Sequence, residues 1–323
     1  MVLNGTYPSF AHKMPAVPCD PNSESDPSVF STKHLDLNWT IDFESERIHG
    51  DVVLTIKKLL SDAQVLFLDA SSLDIKSVSL LEDDNSQPLP FEYNEAGGKF
   101  GGELAIQVPD KSELKIKIEY STTPTGTAIQ WLKPEQTLGK AHPYLFSQCQ
   151  AIHARTLVPC QDTPCIKSTY SATVRVPKPL TAVMSANQRK VLSEDDKHQV
   201  VQFNQTMPIS SYLLAIAVGN LVGCEIGPRS SVWSEPEIIE QAAWEFEATE
   251  ECLKIAEEIA GPYRWGRYDI LLLPPSFPFG GMENPCLTFL TPSLLAGDRY
   301  WLVIAYKLIH VPLDPWLMLS RTK

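Results

Sequence analysis

The sequence predicts a mainly β first region followed by a mixed α/β second region. Two observations carry this reading. Several short runs before about residue 221 place an apolar residue at every second position. After residue 234 the apolar spacing lengthens toward 3.6 residues. The first period is that of a half-buried strand and the second that of an amphipathic helix.

Taken in order, residues up to about 27 are rich in Pro, Ser and Asn and lack a strand or helix period, so residues 1–30 are expected to form a flexible lead-in. Alternation then starts with Leu35, Leu37, Trp39, Ile41 and Phe43, and recurs over 48–56 and 114–120. Further strands are expected at 65–68, 73–80 and 104–108, separated by turn-forming clusters at 83–85 and 97–98. The pattern resumes at 170–176 and 180–184, crosses a polar loop at 193–197, and continues at 200–203 and 212–218. Short strands at this spacing predict a largely antiparallel sandwich or curved sheet over residues 31–221. A helix is expected from Ser234. Ser-Glu-Pro-Glu at 234–237 has the form of a capping box, and Ile238, Ala242, Phe246, Leu253, Ala256 and Ile259 mark the apolar face. Gly261-Pro262 ends it, and residues 268–273 form a nearly all-apolar strand.

Composition narrows the functional classes. A net charge of −12 without Lys/Arg clusters disfavours nucleic acid and anionic membranes as partners. Residues 1–18 lack the continuous apolar core of a signal peptide, no run approaches membrane-spanning length, and seven cysteines lie scattered along the chain. Those features predict a cytoplasmic protein with reduced thiols. Asn-x-Thr triplets at Asn4, Asn38 and Asn204 are then incidental.

The most suggestive stretch is Phe-Pro-Phe-Gly-Gly-Met-Glu-Asn-Pro-Cys at 277–286. A Gly-Gly pair lets backbone approach a ligand closely, and a carboxylate follows two positions later on an expected edge strand. Such a segment can hold a peptide together with its charged end.

This stretch resembles the Gly-x-Met-Glu-Asn motif of the zinc aminopeptidases, in the branch that holds leukotriene-A4 hydrolase and aminopeptidase B. The blocks His-Pro-Tyr-Leu-Phe-Ser-Gln-Cys-Gln-Ala-Ile-His at 142–153, Pro-Cys-Gln-Asp-Thr-Pro at 159–164 and Leu-Leu-Ala-Gly-Asp at 294–298 are similar to that branch in the same order. The resemblance covers most of residues 31–299. It implies a saddle-like β domain over 31–221 and the start of a thermolysin-like catalytic domain over 222–299, with a divergent apolar tail at 300–323. It implies removal of N-terminal residues from peptides and, in leukotriene-A4 hydrolase, opening of a lipid epoxide. It implies substrate-binding roles for Gln150, Ala151, Gly280, Gly281, Met282 and Glu283, with Glu283 on the free α-amine. Apart from the resemblance, Gln150 is better explained by satisfying backbone groups in the sheet, and Glu283 is open to a reading as a solvated edge charge. The family usually has Tyr where this chain has Phe279.

Zinc is the family cofactor, yet the His-Glu-x-x-His helix that should follow within about ten residues of the Leu-Leu-Ala-Gly-Asp block is absent from the sequence. The stretch 303–310 echoes it with Tyr306 and Lys307 in the places of the first His and the Glu, and leaves a lone His310. A Lys cation beside a metal would repel it. The chain is therefore expected to bind no zinc, to keep no intact catalytic set, and to be inactive alone, as a form cut short before the metal site. The alternative is a non-catalytic peptide-binding or regulatory module. His153, Cys160 and Cys165 match no four-ligand zinc spacing, and Cys149 and Cys286 have no activating neighbour in sequence. Without later helices, the apolar faces of the helix at 234–260 and the strand at 268–273 are expected to be bare.

Overall fold

The computed structural model describes residues 20–82, 85–98 and 100–299. Three sheets make up the first region. The largest runs, edge to edge, Gln188–Glu194, His198–Ser210, Lys167–Pro177, Phe30–Asp42, Arg47–Lys58, Glu113–Thr122, Leu73–Glu82 and Asn85–Pro88. Its neighbours are antiparallel except at the centre, where Phe30–Asp42 and Lys167–Pro177 run parallel from His34 opposite Thr169 to Thr40 opposite Arg175. A four-stranded sheet holds Thr181–Met184, Ile216–Gly219, Tyr144–Ser147 and Ile129–Leu132, and a three-stranded one Val65–Ala70, Gly101–Gln107 and Phe91–Gly98.

Alternation in sequence becomes alternation in burial. Along Lys167–Pro177 every second residue is buried, so Tyr170, Ala172, Val174 and Val176 line the core. Trp39 and Tyr120, both buried, are joined by a 2.9 Å bond from the indole N–H to the phenol oxygen. The phenol in turn donates to the Leu157 carbonyl, so neither polar tip is left unpaired in the core. At Gly50 an added Cβ would lie 1.8 Å from the Asn38 carbonyl oxygen. The close approach of these two strands requires glycine there.

Part of the expected lead-in is pinned. Ser23 donates to Asp69 at 2.6 Å, the Glu24 amide donates to the other Asp69 oxygen, and the Asn22 carbonyl accepts from Arg155. Residues 1–19 lie outside the described residues, as do Asp83 and Asp84 of one expected turn.

The second region is a five-stranded mixed sheet in the order Val222–Gly227, Ser230–Ser234, Asp269–Leu272, Leu287–Leu290, Gly281–Met282. The expected capping box does not form. Ser234 ends a strand and its hydroxyl donates to the Glu235 carbonyl, while the Glu235 carboxylate accepts from the Leu138 and Gly139 amides of the first region. With its cap engaged elsewhere, the chain makes a 3-10 turn at Pro236–Ile238 and then two helices, Ile239–Glu245 and Thr249–Ala260. The break at 246–248 resets the helical phase. Thr249, Leu253 and Ala256 face inward, whereas Ile255 and Ile259 are exposed. Gly261, at φ +91°, stops the second helix where sequence placed the stop.

The bare-face expectation is overturned on most of the helix, where Ala242, Phe246, Leu253 and Ala256 are buried and Ile259 is exposed, and on the strand. Ile270, Leu271 and Leu272 are at most 1 % exposed, because they pack into the one core cluster that joins both regions.

Candidate functional site

The segment 277–286 lies along the outer edge of the five-stranded sheet. Phe277 is buried and sets its ring edge-on against Phe146, Phe279 and Phe289, at centroid distances of 5.6, 5.8 and 6.3 Å. Phe146 belongs to Tyr144–Ser147, the strand that leads into Gln150. One aromatic cluster thus joins the approach to Gln150 with the approach to Glu283.

After Phe277 the chain turns outward through half-exposed Phe279. Gly280 is exposed, and a Cβ built there meets nothing within 4 Å among the described residues. Its φ is outside the left-handed range, so neither internal packing nor backbone conformation requires glycine at this position. Gly281–Met282 forms the edge strand, antiparallel to Leu287–Leu290 with Gly281 opposite Leu290 and Met282 opposite Phe289. Met282 points into the core at 4 % exposure.

Glu283 follows at once and is half-buried. Burial, and then the neighbouring Glu283 carboxylate, push the Tyr268 phenol up from its ordinary range, so the carboxylate stands near a buried ring. Asn284 is 2 % exposed, and its side-chain amide nitrogen has no hydrogen-bond partner among the described residues. Pro285 and Cys286 turn the chain back into Leu287–Leu290.

Gln150 and Ala151 are exposed in the turn after Tyr144–Ser147, outside any strand, and are joined by a cis peptide bond. The bland reading of Gln150 therefore fails. Gln161 does the backbone-satisfying work instead: its Oε1 accepts from the Thr32 amide and hydroxyl, and its Nε2 donates to the Phe30 carbonyl.

Two other sequence candidates come apart. His153 pairs with the Thr127 hydroxyl, Cys160 is buried and Cys165 exposed, and the described residues hold no group of three or more His, Cys, Asp or Glu able to bind a metal. Burial pushes the Cys149 thiol up, and the Cys286 thiol up to about 12. Neither is a ready nucleophile. Tyr306, Lys307 and His310 lie outside the described residues.

Sequence reasoning missed Phe146, Tyr268 and Gln205. Gln205 continues the inward phase of Val201 and Phe203, so its signal was a polar side chain on a buried face.

Residues 31–213 match the Peptidase M1 N-terminal domain and residues 244–310 the Peptidase family M1 domain. The chain is a member of the M1 peptidase family. It is 46 % identical to a leukotriene A-4 hydrolase of Xenopus laevis over 90 % of this chain and 48 % of that protein. It is 43 % identical to a leucine aminopeptidase 2 of Yarrowia lipolytica over 90 % of this chain and 44 % of that one. Among solved structures, native yeast LTA4 hydrolase superposes with a TM-score of 0.83 at 39 % identity, covering 90 % of this chain and 45 % of the yeast chain. The yeast enzyme in complex with bestatin gives 0.82 at 38 %, over 94 % and 46 %. The chain thus spans about half the length of these M1 relatives. The mainly β architecture and the partial α/β region are those the resemblance implied. No helix among the described residues is long and apolar enough to cross a membrane.

Proposed function

We propose that this M1 family chain carries a peptide-binding surface that recognises a free N-terminus. Gly280 and Gly281 accept the backbone of an extended peptide along the sheet edge, Met282 anchors that edge in the core, and Glu283 binds the α-ammonium. Gln150 and Ala151 line the neighbouring subsite. The observation that carries this reading is a half-buried carboxylate placed directly after an edge strand whose preceding glycine is open to solvent. A partly desolvated carboxylate selects a cation more strongly than an exposed one, and an exposed strand edge is a template for peptide pairing. Proposed with it are a division into β-saddle and partial catalytic domain near residue 221 and a cytoplasmic setting.

The activities named in the relatives, leucine aminopeptidase and leukotriene A-4 hydrolase, are proposed for the whole protein class to which this chain is similar. The residues described here do not fit the family's zinc. They include no three-donor cluster, and the sequence has no His-Glu-x-x-His. No chemical step is therefore routed through a metal, and the chain by itself is proposed to bind peptides without cleaving them. In that capacity it acts as a non-catalytic peptide-binding or regulatory module.

Calorimetric titration with a short free-amine peptide and its N-acetylated twin tests the binding role. The free amine should bind about tenfold or more tighter, as the loss of a charge-assisted hydrogen bond costs about 1.5–3 kcal/mol, and Glu283→Gln should erase the difference. Equal affinity of the unmodified chain for both peptides removes the role. Metal analysis showing one zinc per chain, together with cleavage of an aminoacyl reporter, would refute the inactive reading.

A further inference from the structure

The Glu283 segment is fastened differently on its two sides. Upstream, the backbone pairing of the edge strand covers two residues, Gly281 and Met282, after a Gly280 that is open on its Cβ side. Downstream, three residues past Glu283, Cys286 is 2 % exposed and adopts φ +66°. That left-handed conformation is unfavourable for a residue with a Cβ, so it persists where the surroundings impose it.

Hydrogen bonds on both the backbone and the thiol hold the residue there. The Cys286 carbonyl accepts from the Asp269 amide at 3.0 Å. The thiol donates to the Trp265 carbonyl at 3.6 Å, and its sulfur accepts from Gln205 Nε2 at 3.5 Å. Gln205 belongs to His198–Ser210 in the first region and is 1 % exposed. Its amide orientation is fixed, since Oε1 accepts from the Met207 N–H and Nε2 donates to the Ser185 carbonyl. One Nε2 hydrogen therefore remains for the sulfur. Ser185 is itself tied to the Leu213 carbonyl and the Ala215 amide, so the anchor is rigid back into the β region.

We propose that Gln205 and Cys286 are positioning residues that bolt the turn after Glu283 to the β region, so that the β region carrying Gln150 also sets where the Glu283 carboxylate stands. This rests on the amine-binding reading of Glu283. The thiol touches no substrate. It acts by holding a turn whose displacement moves the carboxylate, and a misplacement of about 1 Å in a positioned group can cost about a hundredfold.

The readout is the ratio of affinities for a free-amine tripeptide and its N-acetylated twin, measured by titration on the full chain alongside its thermal midpoint. Loss of fold or general loosening lowers both affinities together, whereas a shifted carboxylate lowers only the first. Cys286→Ala should cut the ratio at least about threefold with the acetylated peptide's affinity unchanged, and Cys286→Ser, which keeps a donor and an acceptor, should restore it to within about twofold. Gln205→Met, of similar volume and without the amide, serves the same purpose if Cys286→Ala melts early. An unchanged ratio in Cys286→Ala and Gln205→Met, or equal losses for both peptides, overturns the positioning role while Glu283→Gln still erases discrimination. If Glu283→Gln leaves discrimination intact, the amine-binding reading itself falls.

Discussion

Replacing Arg155 with Met should be among the most damaging single changes in the first region. The guanidinium is buried, with a side-chain exposure of 3 %, between two carboxylates that are themselves inaccessible: Asp162 at 3.1 Å and Asp69 at 3.6 Å. It also donates to the carbonyls of Phe100, Asn22 and Asp162. Met keeps most of the apolar stem and removes the charge, so packing loss is minor and the uncompensated carboxylates dominate. Breaking a buried pair by removing one partner costs about 3–5 kcal/mol. At about 2–4 °C per kcal/mol for a unit of 150–250 residues, the first thermal transition should fall by about 6–20 °C. The pH dependence supplies a second handle. Burial already holds the Asp69 carboxyl above its ordinary value, with Arg155 the leading opposing influence. Without Arg155 it rises further, and the native variant then binds a proton that the unfolded chain at the same pH has released. A group raised in the native state stabilises below its unfolded value and loses that contribution as pH rises through the native one. The deficit of the variant should therefore be smaller at pH 5 than at pH 7.5. Melting within about 1 °C of the parent, or a deficit that does not shrink on acidification, refutes the reasoning.

Glu235→Gln should flatten the fall in stability that accompanies a rise in pH above the ordinary carboxylate range. Burial raises the Glu235 carboxyl more than the Leu138 and Gly139 amides lower it, so its stabilising share is lost as pH rises through that raised value; denaturant melts across a pH series check the slope. Phe277→Ala should cost about 3–5 kcal/mol, since the ring is 4 % exposed and packs on Phe146, Phe279 and Phe289. Chemical denaturation measures the loss, and hydrogen exchange should show deprotection in both Tyr144–Ser147 and Leu287–Leu290 if the cluster joins the two regions.

What sequence made legible was whatever had a strong period. Leu35 through Ile41 and Leu114 through Tyr120 alternate, and both became strands of the large sheet. Gln188–Glu194 escaped because all seven of its residues are exposed, leaving an edge strand without a buried phase to betray it. Its last two residues fall in the polar stretch 193–197, which sequence marks as a loop. The parallel pairing of Phe30–Asp42 with Lys167–Pro177 joins segments more than a hundred residues apart, which no local pattern encodes. The helix at 234–260 was mis-bounded because Glu235 serves a tertiary contact to Leu138 and Gly139 rather than its own helix end. At the candidate site, the glycines and Glu283 were visible as a motif, while Gln205 and Phe146 act through contacts with residues 81 and 131 positions away.

On the proposed reading, the brevity of Gly281–Met282 decides what kind of peptide recognition is available. An edge of two residues offers a ligand few backbone hydrogen bonds, each worth about 0.5–1.5 kcal/mol net. A bond between an ammonium and a partly desolvated carboxylate is worth about 1.5–3 kcal/mol. The terminal charge therefore outweighs each strand contact, and lengthening the peptide past the third residue should add less affinity than acetylating its amine removes. A longer edge would reverse that order and favour internal segments of a chain. Keeping the edge short and fastening the turn behind Glu283 to the β region are thus two halves of one arrangement, in which selection rests on a single carboxylate and its placement must come from elsewhere in the fold.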